Sequence, residues 1–192
     1  MRQGIRSPEV RINGSSRLYI VSSRVTPPST KREPILADMT HDLCRVREAT
    51  VLDVDLIAPL FDAYRQFYGQ APDLHGSGAF LRRRIQHGES RILVAESLHP
   101  SGHVLGFAQV YPSFSSVRRV PIWILNDLFV VPTARRSGVG ATLLGATAAL
   151  AKALRIASIT LATGRANGAA QALYAKCGYS RDEDFYTYVL DV

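Results

Sequence analysis

The stretch that decides the fold reads LNDLFVV over Leu125–Val131 and, four residues on, RRSGVG over Arg135–Gly140. The first segment has the apolar run of a buried strand, and the second is a glycine-containing turn that leads into an apolar helix. From Leu128 to Arg181 there is no Asp or Glu, whereas seven Lys and Arg residues occur there. Helix-start N–H groups in a basic setting favour anions, so this stretch predicts a phosphate-binding turn.

The two glycines of the turn allow a close approach to the main chain. Gly138 and Gly140 lack a Cβ, so the amides of residues 136–141 can donate to phosphate oxygens. The dinucleotide fingerprint fits poorly, because its third glycine position is Leu143 and no acid follows at the required distance. A Walker turn would need Gly-Lys-Ser/Thr, which is absent. On these residues alone, one alternative stays open: the turn is only the tight start of a helix and binds no ligand.

Composition limits the class of protein. A chain of 192 residues with 46% hydrophobic and 20% charged residues suggests one globular domain. No apolar run approaches the roughly 20 residues that span a bilayer, so no membrane association is expected. Two cysteines and five scattered histidines show no metal-ligand spacing, and a reducing, cytoplasmic compartment fits this usage. The net charge is +7, but basic residues do not alternate with aromatics, which disfavours nucleic acid.

Residues 1–38 differ from the rest of the chain. They hold seven Lys and Arg against three Asp and Glu, and they include the segment TPPST over Thr26–Thr30. This composition favours a disordered tail or a non-native, mis-started leader, with a transit-like segment as the other alternative. Residues 39–192 are expected to form a single domain.

Hydrophobic periodicity predicts the element order βααβββαβαβ from Leu43 onward. Thr50 and Asp53 form a candidate capping box, Pro59 predicts a kink or a broken first helix, and Gly69 ends that helix. Residues 71–78 are expected to form a loop. The further predicted elements are a helix over Ala79–His87, strands over Ile92–Glu96, Val104–Tyr111 and Ile122–Val131, a helix over Gly138–Leu154, a strand over Ile156–Ala162, a helix over Asn167–Cys177 and a last strand over Phe185–Leu190. The order indicates an α+β fold with a mixed sheet and helices on both faces.

Two motifs carry a family resemblance. Arg135-x-x-Gly138-x-Gly140 after the strand resembles the acetyl-CoA signature of the GNAT superfamily of N-acetyltransferases, and Asn167 through Tyr179 resembles its second signature. The element order agrees over residues 43–190, so a GNAT-like acyl-CoA N-acyltransferase fold is expected. The segment Tyr64–Tyr68 is similar to the diamine and polyamine acetyltransferase branch.

The resemblance implies where acetyl-CoA binds. Pantetheine would lie in a gap between the strand ending at Val131 and the strand over Ile156–Ala162, while Asn167 contacts the pantetheine arm. Arg135, Arg136 or Arg165 would reach the nucleotide end. The implied cofactor-binding residues are Leu128, Phe129, Val130, Arg135, Arg136, Ser137, Gly138, Val139, Gly140, Ala141 and Asn167.

The implied reaction is direct attack of a primary amine on the thioester. Tyr174 matches the family's usual proton donor to the departing thiolate, and the N–H groups near Phe129–Val130 would polarise the carbonyl. The polyamine-like branch commonly has a Glu as base where this chain has Asn126. Glu96, Asp127 if a bulge turns it, or water held by Tyr64 and Tyr111 are the alternatives, with Asp127 ranked low because strict alternation points it to the other face.

These inferences predict an acetyl-CoA-dependent N-acetyltransferase acting on a small amine such as a diamine, polyamine or amino acid, without a metal. A protein or peptide lysine acetyltransferase and a non-catalytic acyl-CoA-binding module are the alternatives. The resemblance also implies a homodimer, because family members often pair through their last strands. The expected substrate-contacting residues are Tyr64, Tyr68, Glu96, Tyr111 and Asn126.

Overall fold

A computed structural model describes residues 39–41, 43–99 and 101–192 of the chain; the prediction for residues 1–38 lies outside the described residues. A 3₁₀ turn over Val51–Asp53 precedes the first helix, and a second over Pro132–Ala134 follows the fifth strand. The strands are β1 (Met39–His41), β2 (Cys44–Glu48), β3 (Arg91–Leu98), β4 (Ser101–Ser115), β5 (Val120–Val130) and β6 (Ile159–Leu161). The helices are α1 (Val54–Phe67), α2 (Leu74–Gln86), α3 (Val139–Ala153) and α4 (Gly168–Lys176).

The strands form one six-stranded sheet in the order β1-β2-β3-β4-β5-β6. All neighbouring pairs are antiparallel except β5 and β6, which are parallel and connected through α3. The mixed sheet of an α+β fold is thus confirmed. Within the described part of the chain, none of the helices is both long and apolar enough to cross a membrane.

Two apolar cores lie on opposite faces of the sheet. On one face α3 packs through Leu143, Leu144 and Leu150 against side chains of β3, β4 and β5. On the other face α1 and α2 pack through Ile57 and Leu81 against the same strands. The sheet alternates its side chains between these cores, because successive residues of a strand point to opposite faces. The predicted helices on both faces are therefore confirmed.

A bulge in β5 interrupts that alternation. Gln109 of β4 lies opposite Asp127, but the next residue, Val110, lies opposite Leu125, so Asn126 is the extra residue. Leu125 belongs to the α3 core, whereas Phe129 belongs to the α1–α2 core. The bulge reverses the phase of the strand, and Asp127, two residues before Phe129, therefore shares its face.

The first two helices differ from the sequence predictions in detail. The capping box of Thr50 and Asp53 is present, but α1 continues unbroken past Pro59, since tertiary packing of its apolar face holds the helix. The predicted loop over residues 71–78 is wrong in its second half. The second helix starts at Leu74, because the Asp73 side chain accepts a hydrogen bond of 2.8 Å from the Gly76 N–H.

The predicted last strand over Phe185–Leu190 is wrong. All residues from 177 to 192 are described, and none of them lies in a strand. The Asp182 carboxylate accepts from the main-chain N–H groups of Asp184 and Phe185 at 3.0 and 3.2 Å, which makes a turn ahead of the segment. After this turn, large apolar side chains are exposed.

Candidate active site

A gap opens between β5 and β6. The two strands pair only at Trp123, Ile124 and Leu125 of β5, and beyond the bulge residue Asn126 the residues 127–130 pair with β4 alone. The edge of residues 126–130 that faces β6 is therefore available to an extended ligand, in the place where the sequence analysis expected pantetheine. We call this space the β5–β6 gap.

One arginine reaches into the gap. Arg135 Nε donates to the Val130 carbonyl at 3.0 Å, and its guanidinium carbon lies 5.6 Å from the centre of the Phe129 ring. The Val130 carbonyl is one of the main-chain groups predicted to bond pantetheine. A ligand in the gap would thus donate an amide N–H to the Val130 carbonyl in place of Arg135. The displaced guanidinium would then be free to bind an anionic group of the same ligand.

The turn after β5 has the backbone of an anion site. Arg136 and Gly138 have left-handed φ values of +62° and +95°, and α3 begins directly after them at Val139. Such alternating conformations direct successive N–H groups to one side. No side chain caps the start of α3, and its first turn holds no acid. The 15-residue helix thus presents its N–H groups and positive dipole end to this turn.

Gly140 brings the turn close to the second signature segment. A Cβ on Gly140 would lie 3.1 Å from Leu173 Cδ2 of α4 and 3.8 Å from Val130 Cγ2. The glycine therefore allows α3, α4 and the end of β5 to meet. The N–H groups of residues 136–141 and the free edge of β5 together fit a diphosphate joined to an extended amide chain, which is the shape of coenzyme A.

The second signature forms α4 as predicted. Asn167 Oδ1 accepts from the Ala170 N–H at 3.2 Å and caps the helix, and Gly178 ends it with φ +86°. Tyr174 is half-buried, and its ring lies 5.8 Å from that of Tyr179. Burial first, and then the nearby Tyr68 hydroxyl, raises the pKa of Tyr174. Tyr174 thus stays protonated at neutral pH, as a proton donor must.

A buried carboxylate lies on the other side of the gap. Asp127 is only 4% exposed, and burial raises its pKa to about 6 against the hydrogen bonds from Tyr64 and Asn126, which lower it. Asn126 Nδ2 donates to Asp127 Oδ1 at 3.3 Å, and Tyr64 Oη donates to the Asn126 carbonyl at 3.2 Å. Asp127 in turn raises the pKa of Tyr64 and Tyr111, after the larger effect of burial.

Tyrosines connect this carboxylate to α4. The ring of Tyr68 lies 5.1 Å from that of Tyr64, and Tyr68 is also close enough to Tyr174 to raise its pKa. The structure therefore brings Tyr64 and Tyr111 close to Asp127, while Tyr68 lies between Tyr64 and Tyr174. A proton acceptor and a proton donor are consequently connected through the rings of Tyr64 and Tyr68.

Glu96 lies apart from this cluster. Its carboxylate receives hydrogen bonds of 3.1 Å from Arg45 and 3.0 Å from Arg47, and these bonds hold its pKa below the usual value. Arg47 also makes a bidentate pair with Asp53. A carboxylate held by two arginines is a weak proton acceptor, and this makes Glu96 unsuitable as the base.

The low rank given to Asp127 from sequence rested on strict strand alternation, and the bulge removes that premise. One signal was present in the chain. Gln109 stands between Ala108 and Val110, Asp127 precedes the apolar run Leu128–Val131, and the two polar residues lie opposite each other in the sheet. Gln109 is fully buried and donates through Nε2 to Ser90 Oγ at 2.7 Å. Polar side chains are rarely buried, so two of them opposite each other inside a sheet mark a candidate functional site.

Comparison with known sequences gives a consistent result. Residues 57–179 match the family model described as the acetyltransferase (GNAT) family. The chain is 47% identical over 147 residues to the uncharacterized N-acetyltransferase YhfO of Bacillus subtilis (strain 168), covering 77% of this chain and 97% of that protein. Proteins of this family use acetyl-CoA.

Solved structures agree with the sequence comparison. A crystal structure of a probable acetyltransferase superposes with a TM-score of 0.73 at 37% identity, covering 77% of this chain and 97% of the other. The aminoglycoside N-acetyltransferase AAC(6')-Iy in complex with CoA shares the fold, with a TM-score of 0.64 at 17% identity over 79% of this chain and 98% of the other. The protein is accordingly an acetyltransferase and belongs to the GNAT family.

Proposed function

We propose that this acetyltransferase transfers the acetyl group of acetyl-CoA to the primary amine of a small cationic molecule, with Asp127 as the proton acceptor. The observation that carries the proposal is the buried Asp127 carboxylate, which the β5 bulge turns toward Tyr64 beside the β5–β6 gap. Asp127 would act as the base in place of residue 126, which is Asn in this chain and cannot accept a proton.

The chain's own groups would hold the cofactor. The main-chain N–H groups of residues 136–141 bind the diphosphate, and those of Leu128 and Val130 bind the amides of the pantetheine arm. Arg135 moves from the Val130 carbonyl toward the phosphates. When bound, acetyl-CoA supplies an acetyl group activated as a thioester. Phe129 pairs with Phe107 and its N–H faces β4, so a main-chain N–H on the free edge of β5 orients the carbonyl oxygen and stabilises the negative charge that develops there.

Proton transfer assigns opposite roles to the two sides of the site. An alkyl amine has a pKa of about 10 and must lose a proton before it attacks. With a pKa of about 6, Asp127 is ionised at pH 7–8 and accepts that proton. Tyr174, whose pKa is raised, keeps its proton and donates it to the departing sulfur.

The surroundings of Asp127 favour a slender alkyl ammonium. Its neighbours are tyrosines, whose ring faces attract cations, and its charge would neutralise one ammonium group in a poorly hydrated place. The diamine and polyamine class combines such a group with a second amine that can stay in water. This recognition would not require an acidic outer surface, in contrast to binding of a basic peptide.

An assay of thiol release from acetyl-CoA tests the proposal over a panel of diamines, polyamines, amino acids and aminoglycosides, with lysine peptides as competitors. We expect turnover to be fastest with an alkyl diamine or polyamine and to fall in Asp127→Asn but not in Glu96→Gln. Faster turnover of peptides would indicate the lysine acetyltransferase alternative. Thermal stabilisation by CoA without any turnover would indicate a non-catalytic binding module.

A further inference from the structure

We propose that Gln109 is the positioning residue for the proton acceptor Asp127. In this arrangement the carbonyl oxygen of the Gln109 side chain, Oε1, accepts a hydrogen bond from the Asp127 carboxyl group once that group carries a proton. Gln109 thereby stabilises the proton that the attacking amine gives up. The role of Asp127 as the base rests on the proposed function, whereas the contact between the two side chains is a property of the protein without substrate.

Gln109 and Asp127 share one face of the sheet. They lie opposite each other in the pairing of β4 with β5. Gln109 follows Phe107 by two residues, Asp127 precedes Phe129 by two, and both phenylalanines belong to the α1–α2 core. Directly opposite residues of an antiparallel pair have Cβ atoms about 4.5–5.5 Å apart. The carboxamide and the carboxyl group are therefore neighbours.

The carboxamide of Gln109 is satisfied at its nitrogen and unsatisfied at its oxygen. Nε2 donates to Ser90 Oγ at 2.7 Å, and Ser90, directly before β3, is itself buried. Oε1 is also buried and accepts no hydrogen bond from the described residues. The nitrogen and oxygen of a carboxamide diverge, and β3 and β5 flank β4 on opposite sides. Oε1 is therefore directed to the β5 side, where Asp127 lies, and a buried acceptor of this kind requires a donor.

Asp127 can supply that donor in one of its two protonation states. An ionised carboxylate and a carbonyl oxygen are both acceptors and repel each other, whereas a protonated carboxyl group has an O–H to donate. The hydrogen bonds that lower the pKa of Asp127 come from Tyr64 and Asn126, while Gln109 directs Nε2 to Ser90. The orientation of the Gln109 amide therefore fits the protonated form of Asp127.

Other titratable groups face this pair from the neighbouring elements. Tyr64 of α1 and Tyr111 of β4 are close enough to Asp127 for its charge to raise their pKa values, after the larger effect of burial. Arg84 of α2 lowers the pKa of Tyr111, and Glu89, which follows α2, raises it. These two residues form an ion pair at 2.7 Å, so their charges oppose each other in this region. The uncharged amide opposite the carboxyl group is thus the neighbour with an acceptor to offer.

The contact serves the transfer of one proton. The N–H bond of the substrate ammonium breaks, its electron pair stays on the nitrogen for the attack on the thioester, and an O–H bond forms on Asp127. That O–H donates to Gln109 Oε1, which keeps the proton away from the amine while the acetyl group moves.

A titration of Asp127 in the full chain, without cofactor, tests the contact. NMR follows the ¹³C shift of its carboxyl carbon from about pH 3 to pH 9 in the wild type and in Gln109→Met. Methionine has nearly the size of glutamine, so water stays excluded, but the acceptor for the protonated form is lost. We expect the pKa of Asp127 to fall by about one unit.

Two further variants complete the test. Ser90→Ala frees Nε2 of Gln109 to donate to the carboxylate instead, and this variant is also expected to lower the pKa of Asp127. It gives the same reading if Gln109→Met does not fold. The matched control is Thr147→Val, which removes a buried hydroxyl from α3 on the other face of the sheet and should leave the Asp127 pKa unchanged.

The sign of the pKa shift decides the outcome. A fall in Gln109→Met, with the acidic limb of kcat/KM moving to lower pH by the same amount, supports the inference. An unchanged pKa would leave Gln109 with a structural role only, and a rise would show that its N–H donates to the carboxylate; either result overturns the inference. Unchanged turnover in Asp127→Asn would instead overturn the proposed function and leave the titration result intact.

Discussion

Replacing Asp127 by Asn should make the protein more stable and much less active. The carboxylate is 4% exposed, and its pKa rises on folding from 3.8 to about 6. Burial is the main cause, so the ionised form is held at an energetic cost. The amide of Asn has the same shape, carries no charge and accepts no proton.

The size of the effect on stability follows from the pKa shift. A rise of about two units corresponds to roughly 3 kcal/mol at 1.36 kcal/mol per unit. Because the folded pKa is the higher one, the favourable contribution of Asp127 is complete below pH 4 and is lost as the pH rises through about 6. Asp127→Asn is therefore expected to raise the free energy of unfolding by about 3 kcal/mol at pH 8 and by only about 1 kcal/mol at pH 4.5.

Urea unfolding of both proteins at pH 8 and pH 4.5 measures this difference, and acetyl-transfer rates over pH 5–9 measure activity. We expect kcat to fall by about 10²–10⁴-fold, and the acidic limb of kcat/KM near pH 6 to disappear. An equal stability difference at both pH values would refute the assigned ionisation. Unchanged turnover in Asp127→Asn would remove Asp127 from the mechanism.

Three further predictions concern other parts of the molecule. Tyr174→Phe should lower kcat while the Kd of CoA, measured by calorimetry, stays nearly unchanged; equal activity would exclude Tyr174 as the proton donor. Gly138→Asp should abolish CoA binding, because it adds a like charge at a residue with φ +95°, and retained binding would show that the turn is not the phosphate site. Asp53→Asn should reduce the free energy of unfolding at pH 7 by about 2 kcal/mol, since the hydrogen bonds from Arg47 lower the Asp53 pKa from 3.8 to about 2. This loss should shrink as the pH falls from 4 to 2, opposite in sign to Asp127→Asn, and a loss independent of pH would contradict the pairing.

The sequence by itself determined the local chemistry of this protein. The capping box at Thr50 and the helix end at Gly69, which has φ +81°, depend on neighbours a few residues away, and both are present. The absence of acids from 128 to 181 is likewise readable without a fold. Such features follow from backbone conformation and short-range hydrogen bonds, so spacing alone predicts them.

The tertiary structure decided the face on which Asp127 lies. The bulge at Asn126 arises from the pairing of β5 with β4, in which Gln109 lies opposite Asp127 and Val110 lies opposite Leu125. It reverses the alternation that the sequence implied and places the carboxylate against Tyr64. Likewise, the strand propensity of the C-terminal segment was evident, but a strand forms only when its backbone pairs with another strand, and residues 177–192 make no such pairing. Which strands pair, and in which register, depends on the assembled sheet and cannot be read from the order of residues along the chain.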